Sequence, residues 1–397
     1  MMTPVVVAVA VTLAVQTLTA MAMIAPSVLA PVAARDLGLA PQSIGFFASL
    51  TYLGAMLSGL ATGRFAARYG PLAVCQAALV LAGAGLALGY FAVAVVVPLA
   101  ALVIGLGYGV VNPVSSQILA RRTPPGMMGL VFSIKQTGVP VGGAIAGVVA
   151  PPLALALGWT GALPVLAAAC IACAFLLLPA RATLAERRGA GAGAGGGLRG
   201  PFAGLGRPIR VALSSAPLRE LSVTSFGYAA VQLVFITYFV SYLALELGYG
   251  LVTAGLAYAC AHGAGVVGRI AWGAVADRWL APRMMLAVLG LISAVCALLV
   301  AAFSPAWPVP AVIAVGMLFG ASAVGWNGVY LAEVARVAPP GMVTTATGGT
   351  QFFTFAGALS GPPLFAAAVW ATGSYAWAFG LFALPSAAVA VRLLTRR

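Results

Sequence analysis

The sequence predicts an all-α polytopic membrane protein of twelve transmembrane helices in two pseudo-symmetric six-helix bundles. Three observations carry this. First, the 397 residues are 62% hydrophobic and 7% charged, too little charge to cover a soluble chain of this length. Second, the apolar residues come in runs of helix length, cut by short Pro, Gly and Arg clusters. Third, the chain repeats itself: Arg121–Met127 reads RRTPPGM, and 215 positions on, Arg336–Met342 reads RVAPPGM. The register holds outward, placing Gly105 on Gly320, Asn112 on Asn327, Gln136 on Gln351 and Gly142 on Gly357. A β-barrel would show apolar–polar alternation in short segments, and the sequence does not.

In chain order the hydrophobic segments lie near 4–30, 42–63, 71–92, 96–119, 125–150, 160–179, 219–245, 251–274, 283–303, 308–332, 342–371 and 375–394. Several exceed the roughly twenty residues that span a bilayer, so tilt or kinks are expected, with Pro26, Pro31, Pro140 and Pro362 as candidates. The first run lacks a basic leader and continues past Ala20-Met21-Ala22, so it reads as a transmembrane helix rather than a signal peptide. Residues 181–218 are polar and include GAGAGAGGGLRG from Gly189, the composition of a flexible linker. No strand precedes that run and no Gly-Lys-Ser/Thr follows it, so it is not a phosphate loop. The expected organisation is a bundle over 1–180, a cytoplasmic linker over 181–218 and a second bundle over 219–397.

The formal net charge is +14, mostly arginine between the apolar runs, and such placement speaks for orientation rather than for nucleic acid. With the N-terminus inside, the loop arginines fall on the cytoplasmic side except Arg35. The expectation is an integral protein of the cytoplasmic membrane, with both termini cytoplasmic, lipid as its surroundings and a monomeric state. The five cysteines lie in apolar runs and read as packing residues. Cys170 and Cys173 form a CxxC, but with one His in the chain and no carboxylate nearby, neither a metal site nor a cofactor is expected. One His and six acids, mostly in loops, supply no catalytic cluster, so the chain does not read as an enzyme.

After the second segment stands Gly59-Leu-Ala-Thr-Gly63-Arg64-Phe-Ala-Ala-Arg68, and after the eighth Gly273-Ala-Val-Ala-Asp277-Arg278-Trp-Leu-Ala-Pro-Arg283. This pattern resembles the cytoplasmic-loop signature of the major facilitator superfamily of transporters. Twelve helices, a 6+6 repeat and a long central loop fit the same family. The resemblance implies two bundles that rock about a site near the membrane midplane. It also implies a latch built from Gly59, Arg64, Gly273, Asp277 and Arg278. In it Gly273 would let helices approach closely and Asp277 would face a helix N-terminus. The first copy has Gly63 where the second has Asp277. Glu333 and Arg336, three apart, are placed to extend the latch as an ion pair. Gly129, Gly138, Gly142 and Gly147 resemble the helix-five glycine motif of the family's proton-driven exporters, with Gly143 in place of its proline and Ala146 in place of one glycine. The same spacing also suits plain helix packing.

Lys135 is the single lysine. It stands ten residues after Pro125, about 15 Å along a helix and so near mid-membrane. A lysine there costs about 2.5–3.5 kcal/mol on insertion scales unless it meets water or a partner. Its repeat counterpart is Thr350. In an empty carrier, water, Gln136 or Gln351 would serve as its oxygen ligands. His262 and Arg269 share one face of the eighth segment. They are candidates for proton coupling or gating, as is Glu333, or else a packing histidine and a loop brace. The family lines its cavity with helices one, four, seven and ten. By that resemblance the lining candidates are Gln16, Thr19, Tyr108, Asn112, Tyr228, Gln232, Tyr238, Trp326, Asn327 and Tyr330. Asn112 and Asn327 either line each half or bond between helices. The substrate-binding set is therefore Lys135, Gln136, Asn112, Tyr108, Gln232, Tyr228, His262, Asn327 and Gln351. Acids are nearly absent from the membrane segments, so the cavity should favour anions. The function expected is a secondary active transporter for a small organic anion, a carboxylate, with proton coupling. The alternative is a proton-driven exporter of hydrophobic drugs or metabolites.

Overall fold

The computed structural model describes residues 4–124, 127–184, 206–340 and 342–395. Eleven helical stretches among them are long and apolar enough to cross a membrane. One of these, Val131–Leu176, runs 46 residues, roughly 69 Å if straight and about twice a hydrocarbon core. It breaks at Gly158, where φ is 72° and ψ 160°, a backbone suited to glycine. Its two arms bring the crossings to the expected twelve. The break falls later than the end expected near residue 150, because the helix runs on through Pro151 and Pro152.

In chain order the helices are α1 (Pro4–Asp36), α2 (Ile44–Tyr69), α3 (Pro71–Leu88), α4 (Val97–Ala120), α5 (Met128–Gln136), α6 (Gly138–Leu176), α7 (Ala180–Leu184) and α8 (Gly206–Ser214). Then follow α9 (Ala216–Leu245), α10 (Leu251–Arg278), α11 (Pro282–Ala301), α12 (Val309–Ala323), α13 (Asn327–Val337), α14 (Val343–Thr372) and α15 (Tyr375–Thr395). α5 and α6 part at Thr137 for a local reason. Pro140 has no N–H for the Gln136 carbonyl, and the Thr137 N–H turns back to Ser133 and Ile134.

The chain forms two compact units, one of residues 1–37 and 50–203, the other of residues 38–49 and 204–397. Two features depart from the expected partition. The turn before α2 and its first residues belong with the second unit, where Ser49 Oγ donates to Leu359 O at 2.5 Å and Tyr238 OH donates to Gln42 O at 2.8 Å. The segment 181–218 is also not all linker, since α7, α8 and the start of α9 lie in it. Its Gly/Arg-rich part, 185–205, falls outside the described residues.

Each unit is built by the same pairings. In the first, α1 lies along α6, and α3 packs on α4 and α6. In the second, α9 lies along α14, and α11 packs on α12 and α15. The repeated glycines make these approaches. A Cβ on Gly105 would overlap Thr51 O of α2, and one on its counterpart Gly320 would overlap Ala261 O of α10. Gly142 and Gly357 stand likewise against the backbones of α1 and α9. The repeated loop motif closes on the same turn in both copies, Met127 N to Pro124 O and Met342 N to Pro339 O, each 2.9 Å. In each half an acid at the end of the first crossing ties it to the last crossing. Asp36 accepts from Trp159 Nε1 at 2.7 Å, and Glu246 accepts from Tyr375 N at 2.6 Å and Ser374 Oγ at 2.7 Å.

Candidate functional site

In the first unit, α4 and α5 bring Asn112 and Lys135 together. Lys135 is wholly enclosed, at 0% exposure, and its Nζ donates to Asn112 Oδ1. Asn112 is exposed, so the pair is shut on the lysine side and open on the asparagine side. The expected oxygen ligands were Gln136 and Gln351. The structure adds the Asn112 amide of the neighbouring helix, which was not among them, and both glutamines are half-buried. Tyr108, one turn before Asn112, is half-buried and meets Tyr52 edge-on, ring centroids 6.4 Å apart.

The counterpart cluster in the second unit grows from a broken helix. α12 stops at Ala323 and α13 starts at Asn327. A helix end leaves carbonyls without intrahelical donors. Here α10 supplies two of those donors, Arg269 Nε to Val324 O at 3.0 Å and Trp272 Nε1 to Ala321 O at 2.8 Å. Arg269 therefore braces the break. The break turns Trp326 and Asn327 toward α9, where Gln232 Oε1 accepts from Trp326 Nε1 at 3.0 Å and from Asn327 Nδ2 at 3.4 Å. Tyr228 is buried beneath, its ring 5.6 Å from that of Trp326 and its hydroxyl donating to Leu286 O at 2.7 Å. Both repeat-related asparagines thus bond between helices, Asn112 to a cation and Asn327 to an amide. His262 is fully buried on α10, its ring 4.4 Å from that of Tyr258.

The loop signature divides. Arg64, Asp277 and Arg278 are exposed. Gly273 does not make the close approach expected of it among the described residues, and Gly59 stands at ordinary contact distance. A Cβ on Gly59 would lie 3.7 Å from Gly109 O, and one on Gly273 would meet nothing within 4 Å among the described residues. Close contact between α10 and α12 is made earlier, at Gly265 and Gly268. Among the described residues, the last member of the signature makes a charged contact. Arg283 pairs with the buried Glu220 of α9 at 2.8 Å and donates through Nε to Leu393 O of α15 at 3.1 Å. Sequence reasoning missed Glu220. The available signal was an acid directly after Arg219 at the head of an apolar run. Glu333 is 3% exposed and is held by Arg336 through two bonds of 2.6 and 2.7 Å, as the spacing predicts. Two of the helix-five glycines pack against α1: a Cβ on Gly138 would lie 2.9 Å from Gln16 Cβ, and one on Gly142 would strike the α1 backbone.

The whole fold has solved relatives. The chain is similar to a bacterial homologue of the human lysosomal transporter Spinster in an inward-facing, unoccupied conformation. The TM-score is 0.74 at 15% identity, covering 98% of this chain and 95% of that one. It is also similar to such a homologue in an inward-facing, occupied conformation, with a TM-score of 0.70 at 15% identity over 97% and 94% of the two chains. At this identity the likeness concerns the fold alone. No curated protein matches the chain. The model of the Major Facilitator Superfamily matches residues 12–362, and with twelve crossings in two repeated units the chain belongs to that superfamily of secondary transporters.

Proposed function

We propose that this transporter carries a small organic anion, a carboxylate, by alternating access. The observation behind the reading is the Lys135 ammonium, fully enclosed in a membrane helix and met by the Asn112 amide oxygen. A cation held at that depth favours an anionic ligand. Asn112 is the open side of the pair, so a carboxylate arriving there would take over the ammonium, with Asn112 Nδ2 as a second donor. The described acids are engaged elsewhere or exposed. Asp36 and Glu246 tie helix ends, Glu220 and Glu333 hold arginines, and Asp277 is exposed. Proton cotransport would offset the charge carried, with His262 as the side-chain type that titrates near neutral pH. Of the glycines that suggested a drug exporter, Gly138 and Gly142 stand close against α1, as plain helix packing also requires.

The test is substrate-induced thermal shift against a panel of organic acids, read for the parent, Lys135→Met and Lys135→Arg. Lys135→Met should lose about 2–5 kcal/mol of anion binding, roughly 30-fold or more in Kd, while staying folded. Lys135→Arg should keep part of the binding, since charge survives and geometry does not. An organic acid bound equally well by the parent and by Lys135→Met would end the anion reading.

A further inference from the structure

We propose that α8 is a docking surface for anionic phospholipid headgroups. The helix is short and two-sided. Val211 and Ala212 are buried, and Pro208 lies on the same side. This face rests on α14 so closely that a Cβ on Gly349 would overlap Pro208 O and come within 2.9 Å of Ala212 Cβ. The opposite face carries Arg210 and Leu213, both exposed, with Arg207 exposed at its flank. Arg219, also exposed, reaches back and donates through Nη1 to Leu213 O at 3.1 Å, which adds a third cation at the end of the helix.

The place of α8 selects its partner. One residue, Ser215, separates it from α9, whose span Ala216–Leu245 is a membrane crossing. Ser215 Oγ accepts from Leu218 N at 3.4 Å, which fixes the corner between the two helices. A helix held within one turn of a crossing lies at the boundary of headgroups and water. There an exposed leucine between arginines suits an anionic lipid surface, the leucine toward the acyl boundary and the guanidinium groups on phosphates. Within residues 206–219 there is no acid to oppose them, and the next residue, Glu220, is buried and bound to Arg283. Because α8 rests on α14 at Gly349, lipid bound to α8 would also hold that end of α14.

The experiment uses the full chain in nanodiscs of phosphatidylcholine doped with increasing phosphatidylglycerol. The parent's melting temperature should rise with the anionic fraction, and added salt should reduce the rise. Arg207→Gln/Arg210→Gln should lose at least half of the rise. Arg207→Lys/Arg210→Lys should largely keep it, and so should Arg68→Gln, which removes an exposed arginine of the other unit. Leu213→Ser should weaken the response in the way that the loss of one arginine does. An equal response from the parent and the double glutamine variant would overturn the proposal, and so would a parent indifferent to phosphatidylglycerol. A rise of the same size from inorganic phosphate in pure phosphatidylcholine would identify a free anion as the ligand and overturn it as well. None of these outcomes bears on Lys135.

Discussion

Lys135 and Asn112 form one unit, an ammonium with no exposed surface donating to an amide that has one. Asn112 is therefore the position from which the charge state of the pair can be changed without touching the lysine. Asn112→Asp sets a carboxylate against the ammonium. Anion binding should fall as far as in Lys135→Met, while the melting temperature holds or rises. Asn112→Leu removes the amide but adds no charge. It should weaken binding less and destabilise the protein by about 1–3 kcal/mol, the usual cost of taking away a buried partner. Thermal shift with and without substrate separates the two, and full binding by Asn112→Asp would remove Lys135 from the site.

Arg269 holds the carbonyl that the α12–α13 break leaves open. Arg269→Ala should destabilise the protein by about 1–3 kcal/mol. It should also loosen the contact of Trp326 and Asn327 with Gln232, which protection of the 324–327 backbone in hydrogen exchange would report. Unaltered exchange there would show that α13 is set by packing alone.

Glu220 and Arg283 tie α9 to α11, and Arg283 also reaches α15. Removing one partner of a fully buried ion pair costs about 3–5 kcal/mol. Arg283 is 30% exposed, so Glu220→Gln should cost less, about 1–2 kcal/mol in chemical denaturation. Asp277→Asn, at an exposed position, should leave stability within about 0.5 kcal/mol and act, if at all, on transport rate. A larger stability loss in Asp277→Asn than in Glu220→Gln would reverse this ranking.

Orientation is open to labelling. In a cysteine-free background, Ser214→Cys and Thr395→Cys should be shielded from impermeant reagents added to intact cells, and Leu37→Cys should react. Reaction at Ser214→Cys from outside would invert the expected topology and with it the leaflet that α8 faces.

Hydropathy and the repeat at a spacing of 215 residues were enough to predict twelve crossings, because a bilayer imposes length and polarity on each segment separately, and the superfamily followed from the resemblance of the Gly59–Arg68 and Gly273–Arg283 loops to its signature. The repeat also pointed to the helix contacts in kind. Gly105, Gly142, Gly320 and Gly357 are paired in sequence and make corresponding close approaches. Lys135 was legible too, since one lysine in an apolar run is conspicuous without coordinates. Its bond to Asn112, 23 positions away on another helix, was not. The same holds for Glu220 with Arg283, separated by 63 positions, and for Arg269 with Val324, separated by 55. Lipid reads each helix for its own length and polarity. Which polar groups face each other depends on helix rotation, on the breaks at Thr137, Gly158 and Val324, and on close approaches at glycine, and the tertiary structure alone brings these together.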